Sequence, residues 1–342
     1  MDFSKICYLG LDIGGAYLKI VGLDRNKKIA YVSQHKTPIW EGIIKLNSAL
    51  NYLNNFNKKT LCAITMTAEL CDNFKTRREG VSKIVKCLKK INLHKFFFTN
   101  KKKMFTQSPR PLSAASMNWY ATAKFVSTRL SEALIIDFGS TTTDLILIKN
   151  NIIKNKYFDD FTRLVNHELV YTGFTRTPLS GISNEIKIKN RTYQIIPEFF
   201  SNTSDLYRVK NFIKQDMDLY PTCDGRSNSK KNSLRRVARN LGMDLNDSNE
   251  KFVEKICEKL IDNQLNKIFN TAKILLKKND CKKEITIIPC GIGKKALENY
   301  AQNKYRIRDF EDLFTGNNIQ KKFASYHVPA TACAYLISEL NL

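Results

Sequence analysis

The pattern that most restricts this chain occurs twice. Residues 6–13, ICYLGLDI, are an apolar run with β-branched members that ends in Gly14-Gly15, and the alternation resumes at 17–23, YLKIVGL. Residues 133–139, ALIIDFG, repeat that order of events, and 140–148, STTTDLILI, supply the second return strand. Each copy reads as a buried strand, an Asp-x-Gly turn and a partner strand. Two such halves in one chain predict a duplicated α/β architecture, with two related lobes facing across a central cleft.

The remaining pattern fills in the lobes. A third strand is expected near 28–33, a helix over 43–53, a strand at 61–67, a helical stripe over 78–91 and a short strand at 95–99. A helix over 113–130 is expected, with Ser113 as its N-cap. Residues 197–213 read as mostly helical, and a further helix begins in 233–241. From Lys251 to Lys278 an amphipathic helix carries the stripe Val253, Ile256, Leu260, Ile261, Leu265, Ile268 and Phe269. A strand at 284–291 and the helix KKALENYAQ follow, and the chain closes with the small-residue helix PATACAYLISEL, with Pro329 near its start. The expected division is a first lobe over 1–130 and a second over 131–342. The second lobe holds an inserted region near 160–250, and the last helix packs back toward the first lobe.

Composition then excludes several classes. Of 342 residues, 43% are apolar, too many for a disordered chain. The nine cysteines form no CxxC pair, which argues against zinc-ribbon, thioredoxin-type and disulfide-scaffold readings and for free thiols in the cytoplasm. No run of about 18 apolar residues is present, so no membrane-spanning helix is expected. Lys plus Arg number 56 against 32 Asp plus Glu, a formal net charge of +24. The lysines fall in short scattered clusters, at Lys101–Lys103, Lys230-Lys231, Lys277-Lys278, Lys282-Lys283 and Lys321-Lys322. No helix-turn-helix, zinc finger or aromatic RNP-like strand accompanies them, so a solvated basic surface is expected and not a nucleic-acid site.

The chemistry sits in three glycine turns that each leave a strand: Asp12-Ile-Gly14-Gly15, Asp137-Phe-Gly139-Ser140-Thr141 and Cys290-Gly291-Ile-Gly293. Glycine lets backbone N–H groups approach an anion closely. The hydroxyls of Ser140, Thr141 and Thr142 add donors. Asp12 and Asp137 are the candidate ligands for Mg²⁺, and Asp144 is placed to orient a water or that ion. Lys19, on the strand after the first turn, is a candidate phosphate contact, with a surface lysine as the alternative.

These residues resemble a known family. LGLDIGGAYLK, LIIDFGSTTTDLILI and IIPCGIGKK are similar to the loops of the actin, sugar kinase and Hsp70 superfamily, and IDFGSTTTDL to its hydantoinase/oxoprolinase branch. MTAELCDNF (66–74), MNWYATA (117–123), HELVYTGFTRTP (167–178), PEFFSNTSDLYRV (197–209) and TCDGR (222–226) further resemble the condensing enzymes of methanofuran-type, tetrahydromethanopterin-linked one-carbon cofactor biosynthesis. The resemblance runs from about residue 7 to 336.

It implies an alkyl transfer. An aminomethyl-furan methanol diphosphate is joined to the phenol oxygen of γ-glutamyltyramine, or of a tyrosine-type acceptor, and diphosphate leaves. Catalysis of that kind rests on anion clamping and positioning. The resemblance assigns Gly14, Gly15, Gly139, Ser140, Thr141 and Thr142 to the diphosphate, with Gly291 and Gly293 in the third loop. Arg176, Arg208 and Arg226 lie in the matching blocks, and Arg163 lies four residues before one of them; Arg176 is taken as a substrate contact, and each has a structural ion pair as its alternative. Glu69 is the favoured base candidate, ahead of Glu168 and Asp224. Trp119, Tyr171, Phe199 and Phe200 are either stacking residues or core. In the first loop Gly15-Ala16-Tyr17 replaces the small hydroxyl residues of nucleotide-hydrolysing relatives, and the third loop is poor in glycine, so ATP is not expected as a cofactor. The competing readings are an ATP-dependent small-molecule kinase, a lactam hydrolase on the same fold, and a non-enzymatic regulator or nucleic-acid binder. Small-molecule substrates, and neither nucleic acid nor membrane, are the expected partners.

Overall fold

The computed structural model describes residues 2–213, 217–281 and 284–340; Lys282 and Lys283 lie outside them. The chain forms two compact units. The first comprises residues 1–134, 146–159 and 308–342, and the second 135–145 and 160–307. The units therefore do not follow a single cut near residue 130, because the end of the chain belongs to the first.

In the first unit, strands β1 (Tyr8–Ile13) and β2 (Tyr17–Leu23) form the antiparallel hairpin that the alternation predicts, with Asp12 opposite Lys19. β3 (Lys28–Lys36) continues antiparallel on β2, while β4 (Leu61–Met66) pairs parallel with β1 and β5 (His94–Phe98) parallel with β4. β6 (Phe105–Thr106) and the short strand Thr315–Gly316 complete a seven-stranded sheet, in the order Thr315–Gly316, β3, β2, β1, β4, β5, β6. The parallel pairs need crossovers, and helix α1 (Arg77–Leu88), capped by the Thr76 hydroxyl on the Glu79 N–H, spans β4 to β5. One face buries Leu9, Leu11, Ile64, Val81 and Ile84 in a continuous core.

The C-terminal helix Val328–Ser338 packs on β1, β2 and β4 and against helix α2 (Asn118–Ser127). Its sequence of small residues has a steric cause. A Cβ on Gly10 of β1 would lie 1.8 Å from the Ala330 carbonyl oxygen and 2.5 Å from the Ala334 nitrogen. Strand and helix backbones are in direct contact, which only Gly on one side and Ala on the other permit.

α2 begins later than expected. Ser113 lies inside a separate turn of helix, Pro111–Ala114, and the chain then passes through Ser116 with φ of 54° before Asn118. Ser113 is thus not the N-cap of α2; its hydroxyl bonds the Arg110 carbonyl at 2.7 Å.

The second predicted hairpin is β7 (Glu132–Phe138) and β8 (Thr143–Lys149), and its residues 135–145, the turn with the strand ends on either side, belong to the second unit. β9 (Ile287–Cys290) flanks β7, and Leu169–Val170 pairs antiparallel with β8 through Leu169 and Asp144. Helix α3 is shorter than the apolar pattern of 197–213 implies, Thr203–Val209, because an Asn202/Asp205 capping box sets its start. α4 (Lys230–Asn240), the 29-residue α5 (Glu250–Lys278) and α6 (Lys294–Ala301) follow. Among the described residues no helix is long and apolar enough to cross a membrane.

The contact at Gly10 makes a stability prediction. Gly10→Ala is expected to cost about 3 kcal/mol or more, since backbone must move to admit the methyl group. Gly22→Ala, whose new Cβ would meet the Ile6 and Tyr31 side chains at 3.0–3.1 Å, is expected to cost much less. Urea unfolding of the two variants tests this, and equal losses would contradict it.

Candidate functional site

The two hairpin turns close in the same way. The Gly14 N–H donates to the Tyr17 carbonyl at 2.9 Å, and the Gly139 N–H donates to the Thr142 carbonyl at 3.0 Å. Each turn therefore uses that donor on itself, which corrects the expectation that these two N–H groups face an anion. Nor do Gly14, Gly15 and Gly139 adopt positive φ. Their bareness is steric: a Cβ on Gly15 would stand 2.6 Å from the Cys71 sulfur, and one on Gly14 or Gly139 would stand 3.2 Å from the carbonyl that closes its turn.

What the second turn presents is hydroxyl groups. Ser140 and Thr142 are half-buried and Thr141 is exposed. Among the described residues, no hydrogen bond within the protein engages these three side chains. Thr143, the next in the run, turns inward and donates to the Thr172 carbonyl at 2.8 Å. Three adjacent hydroxyls with open valences on one turn are chemically able to donate to an anion.

The turn is held from beneath by residues 173–176. The Gly139 carbonyl accepts from Phe174 N–H at 2.9 Å, and the Ser140 carbonyl accepts from the N–H groups of Thr175 and Arg176 at 3.2 and 3.1 Å. Gly173 lies so close that a Cβ there would stand 2.2 Å from the Ser140 carbonyl oxygen. Arg176 is thereby tied through its backbone to the hydroxyl turn, with its exposed guanidinium near the Tyr220 ring, 5.5 Å from the centroid.

The third glycine turn has a packing role. Gly291 (φ of 80°) and Gly293 are buried. A Cβ on Gly291 would meet Asp137 Oδ1 at 2.4 Å, one on Gly293 would meet the Phe138 ring at 2.3 Å, and the Gly293 N–H donates to the Phe138 carbonyl at 2.9 Å. These glycines let the start of α6 abut β7, and Asp137 is held beside them with 8% exposure. Asp144 also has a different task from the one its motif suggested. Its Oδ1 accepts from Arg163 Nη1 at 2.7 Å, and Arg163 Nη2 also donates to the Glu168 carbonyl. Both side chains are buried, so the carboxylate balances an internal guanidinium.

In the first unit Asp12 is 2% exposed. Its Oδ2 pairs with Lys19 Nζ at 2.8 Å, whose side chain keeps 22% exposure, while Oδ1 has no hydrogen-bond donor. Thr65, its partner across β4, likewise has a buried Oγ1 without a partner. His327 lies near Lys19; burial, reinforced by the lysine's charge, lowers it to about 3 and keeps it neutral. Among the described residues no group of three or more His, Cys, Asp or Glu side chains gathers to hold a metal.

Glu69 is only 1% exposed. Ser116 Oγ donates to its Oε1 at 2.8 Å, and Oε2 has no partner. Burial raises the carboxyl to about 7, against the opposing pull of Ser116 and of Arg77. Gly80 of α1 makes the site this tight, since a Cβ there would stand 2.7 Å from the Glu69 Cα. A carboxyl sealed to this degree touches no substrate from where it stands. Of the other candidates, Arg208 is an internal partner of Asp205 and Asp218, and Asp224 accepts from the buried Arg236 at 2.9 Å. Trp119 is fully buried, whereas Tyr171, Phe199 and Phe200 are exposed.

Sequence reasoning did not single out Gly173 or Gln264. Gln264 had a signal: it falls four residues from Leu260 and from Ile268, a polar side chain within the apolar stripe of α5.

A family model described as hydantoinase/oxoprolinase matches residues 61–310. The chain belongs to that family. It is 30% identical over 343 residues, 98% of each chain, to a (4-{4-[2-(gamma-L-glutamylamino)ethyl]phenoxymethyl}furan-2-yl)methanamine synthase of Methanocaldococcus jannaschii. It is 30% identical over 222 residues, 64% of this chain and 97% of the relative, to the synthase of that name from Methanococcus vannielii. Among solved structures, nucleotide-free acetone carboxylase superposes with a TM-score of 0.53 at 9% identity, covering 96% of this chain and 70% of that one. The fold is the α/β fold of the actin, sugar kinase and Hsp70 superfamily.

The Glu69 environment predicts a pH signature. The folded chain retains a proton that the unfolded chain releases, so stability falls as pH rises from about 4.5 to about 7 and stays lower above that. Glu69→Gln keeps an acceptor for Ser116 and cannot ionise. It is expected to match the wild type near pH 4.5 and to exceed it at pH 8 by on the order of 3 kcal/mol. Thermal melts across this range measure the difference, and parallel profiles would count against a buried ionising carboxyl.

Proposed function

We propose that the chain is a cytoplasmic synthase of methanofuran-type one-carbon cofactor biosynthesis. It joins an aminomethyl-furan methanol diphosphate to the phenol oxygen of γ-glutamyltyramine or a tyrosine-type acceptor. The observation that carries this reading is the end-to-end likeness, over 98% of both chains, to a synthase whose named product contains a phenoxymethyl-furan linkage.

In the proposed reaction the bond between the furan methylene and the diphosphate oxygen breaks, and the phenol oxygen forms the new bond to that carbon. The furan ring stabilises positive charge developing on the methylene. The barrier then depends on neutralising the departing diphosphate. Ser140, Thr141 and Thr142 receive its oxygens, and Arg176 adds a forked cation. Lys19, half-buried beside Asp12 in the first unit, is proposed as a phosphate contact of its own turn. The phenol proton passes to the departing diphosphate, because Glu69 is sealed within its own unit.

Mg²⁺ fits the donor set. Asp12 offers a buried carboxylate oxygen with no donor, and Asp137 is its counterpart in the second turn. Asp12 would hold the ion in the first unit and Asp137 in the second. When bound, Mg²⁺ supplies charge neutralisation to the leaving group. ATP is not required.

The test is direct. Supplied with the furan diphosphate, Mg²⁺ and γ-glutamyltyramine or a tyrosine acceptor, the protein should release one diphosphate per ether formed, with the product identified by mass. Arg176→Ala should lower kcat/KM about tenfold or more, and Ser140→Ala and Thr141→Val should each raise KM for the diphosphate substrate by about threefold to tenfold. Sustained, acceptor-dependent turnover of ATP with no ether would replace this reading with a kinase or lactam hydrolase.

A further inference from the structure

The second turn is supported by a buried polar network that reaches into α5. Gly173, pressed against Ser140, gives its carbonyl to Gln264 Nε2 at 2.8 Å and to Thr203 Oγ1 at 3.0 Å. Its N–H donates to Thr177 Oγ1 at 2.8 Å. The other proton of the Gln264 amide goes to Thr172 Oγ1 at 2.8 Å, and its Oε1 accepts from the Tyr207 hydroxyl at 2.8 Å. Burial holds the Tyr207 phenol well above its ordinary range, so it remains a donor.

Gln264 is fully buried. An amide placed in an apolar helix stripe is costly unless both its protons and its oxygen find partners, and here all three do. An apolar side chain of similar size would fill that position at no such risk. What the amide adds is direction: it sets the orientation of the Gly173–Phe174 peptide, whose carbonyl it engages. Gly173 abuts the Ser140 carbonyl, and residues 174–176 bond to the Gly139 and Ser140 carbonyls.

The geometry points to Gln264 as a positioning residue for the phosphate-binding turn, acting through Gly173, with Tyr207 holding its amide in register. This inference rests on the reading of Ser140–Thr142 as the diphosphate site. It adds that recognition is set by α5 as well as by the turn. Removing the amide should therefore weaken the diphosphate half of the substrate and spare the phenolic half.

The experiment uses the full chain and inorganic diphosphate with Mg²⁺ as the calorimetric probe, alongside steady-state kinetics with both substrates. Gln264→Leu is expected to weaken diphosphate binding and to raise KM for the furan diphosphate by about tenfold, with KM for the acceptor unchanged. Tyr207→Phe, a smaller change that should fold if Gln264→Leu does not, is expected to weaken diphosphate binding by about threefold. Leu260→Ala, a core truncation one turn earlier on α5, is expected to lower thermal stability and leave diphosphate affinity at the wild-type value. Wild-type affinity in folded Gln264→Leu, or in Tyr207→Phe where Gln264→Leu does not fold, would overturn the positioning role. So would an equal loss in Leu260→Ala. Failure of the wild type itself to bind diphosphate would instead remove the diphosphate reading of the turn, and this inference with it.

Discussion

The contact on which the second unit depends is one between main chains. The Ser140 carbonyl and the Cα of Gly173 are so close that no side chain fits between them. That approach lets residues 174–176 bond the Gly139 and Ser140 carbonyls from below, which leaves the hydroxyls above them unused. The first unit has its own version, where Gly10 on the central strand meets the Ala330 carbonyl of the last helix. In both cases the absence of a Cβ sets the position of an element that carries charged or hydroxyl groups.

Burial sorts the charged residues into two kinds. Arg163, Arg208 and Arg236 are internal, and each is matched by a carboxylate: Asp144, Asp205, Asp218 or Asp224. The attraction within each pair offsets part of the hydration it lost, and removing one partner would leave the other buried and uncompensated. Lys19 and Arg176 differ, because both keep part of their charge exposed beside a glycine turn. The net charge of +24 is thus a sum over unlike residues: buried paired arginines, cations beside the turns and scattered lysines.

Much of the fold was legible because period and punctuation agreed. The two hairpins, the parallel strand at 61–66, the amphipathic α5 and the Pro-led final helix all follow from local pattern. Failures occurred where a nonlocal contact overrode the local signal. Ser113 looked like a cap, but the chain turns at Ser116 to place its hydroxyl on Glu69, 47 residues away. Residues 197–213 looked helical throughout, yet the Asn202 capping box delays the start. Gly291 and Gly293 looked like anion donors, but packing on Asp137 and Phe138 is what excludes their side chains.

The sequence alone determined the hairpins, their turns and the family to which the chain belongs, since strand alternation, Asp-x-Gly punctuation and the matching blocks are local properties. Only the tertiary structure decided which polar groups remain available. It turned Ser140, Thr141 and Thr142 outward, engaged Asp144 with Arg163, sealed Glu69 and brought Gln264 under the turn from a helix 124 residues further along the chain. The reason is physical: a side chain's type sets which bonds it can make, but burial and the neighbours brought from distant segments determine which of those bonds are already satisfied.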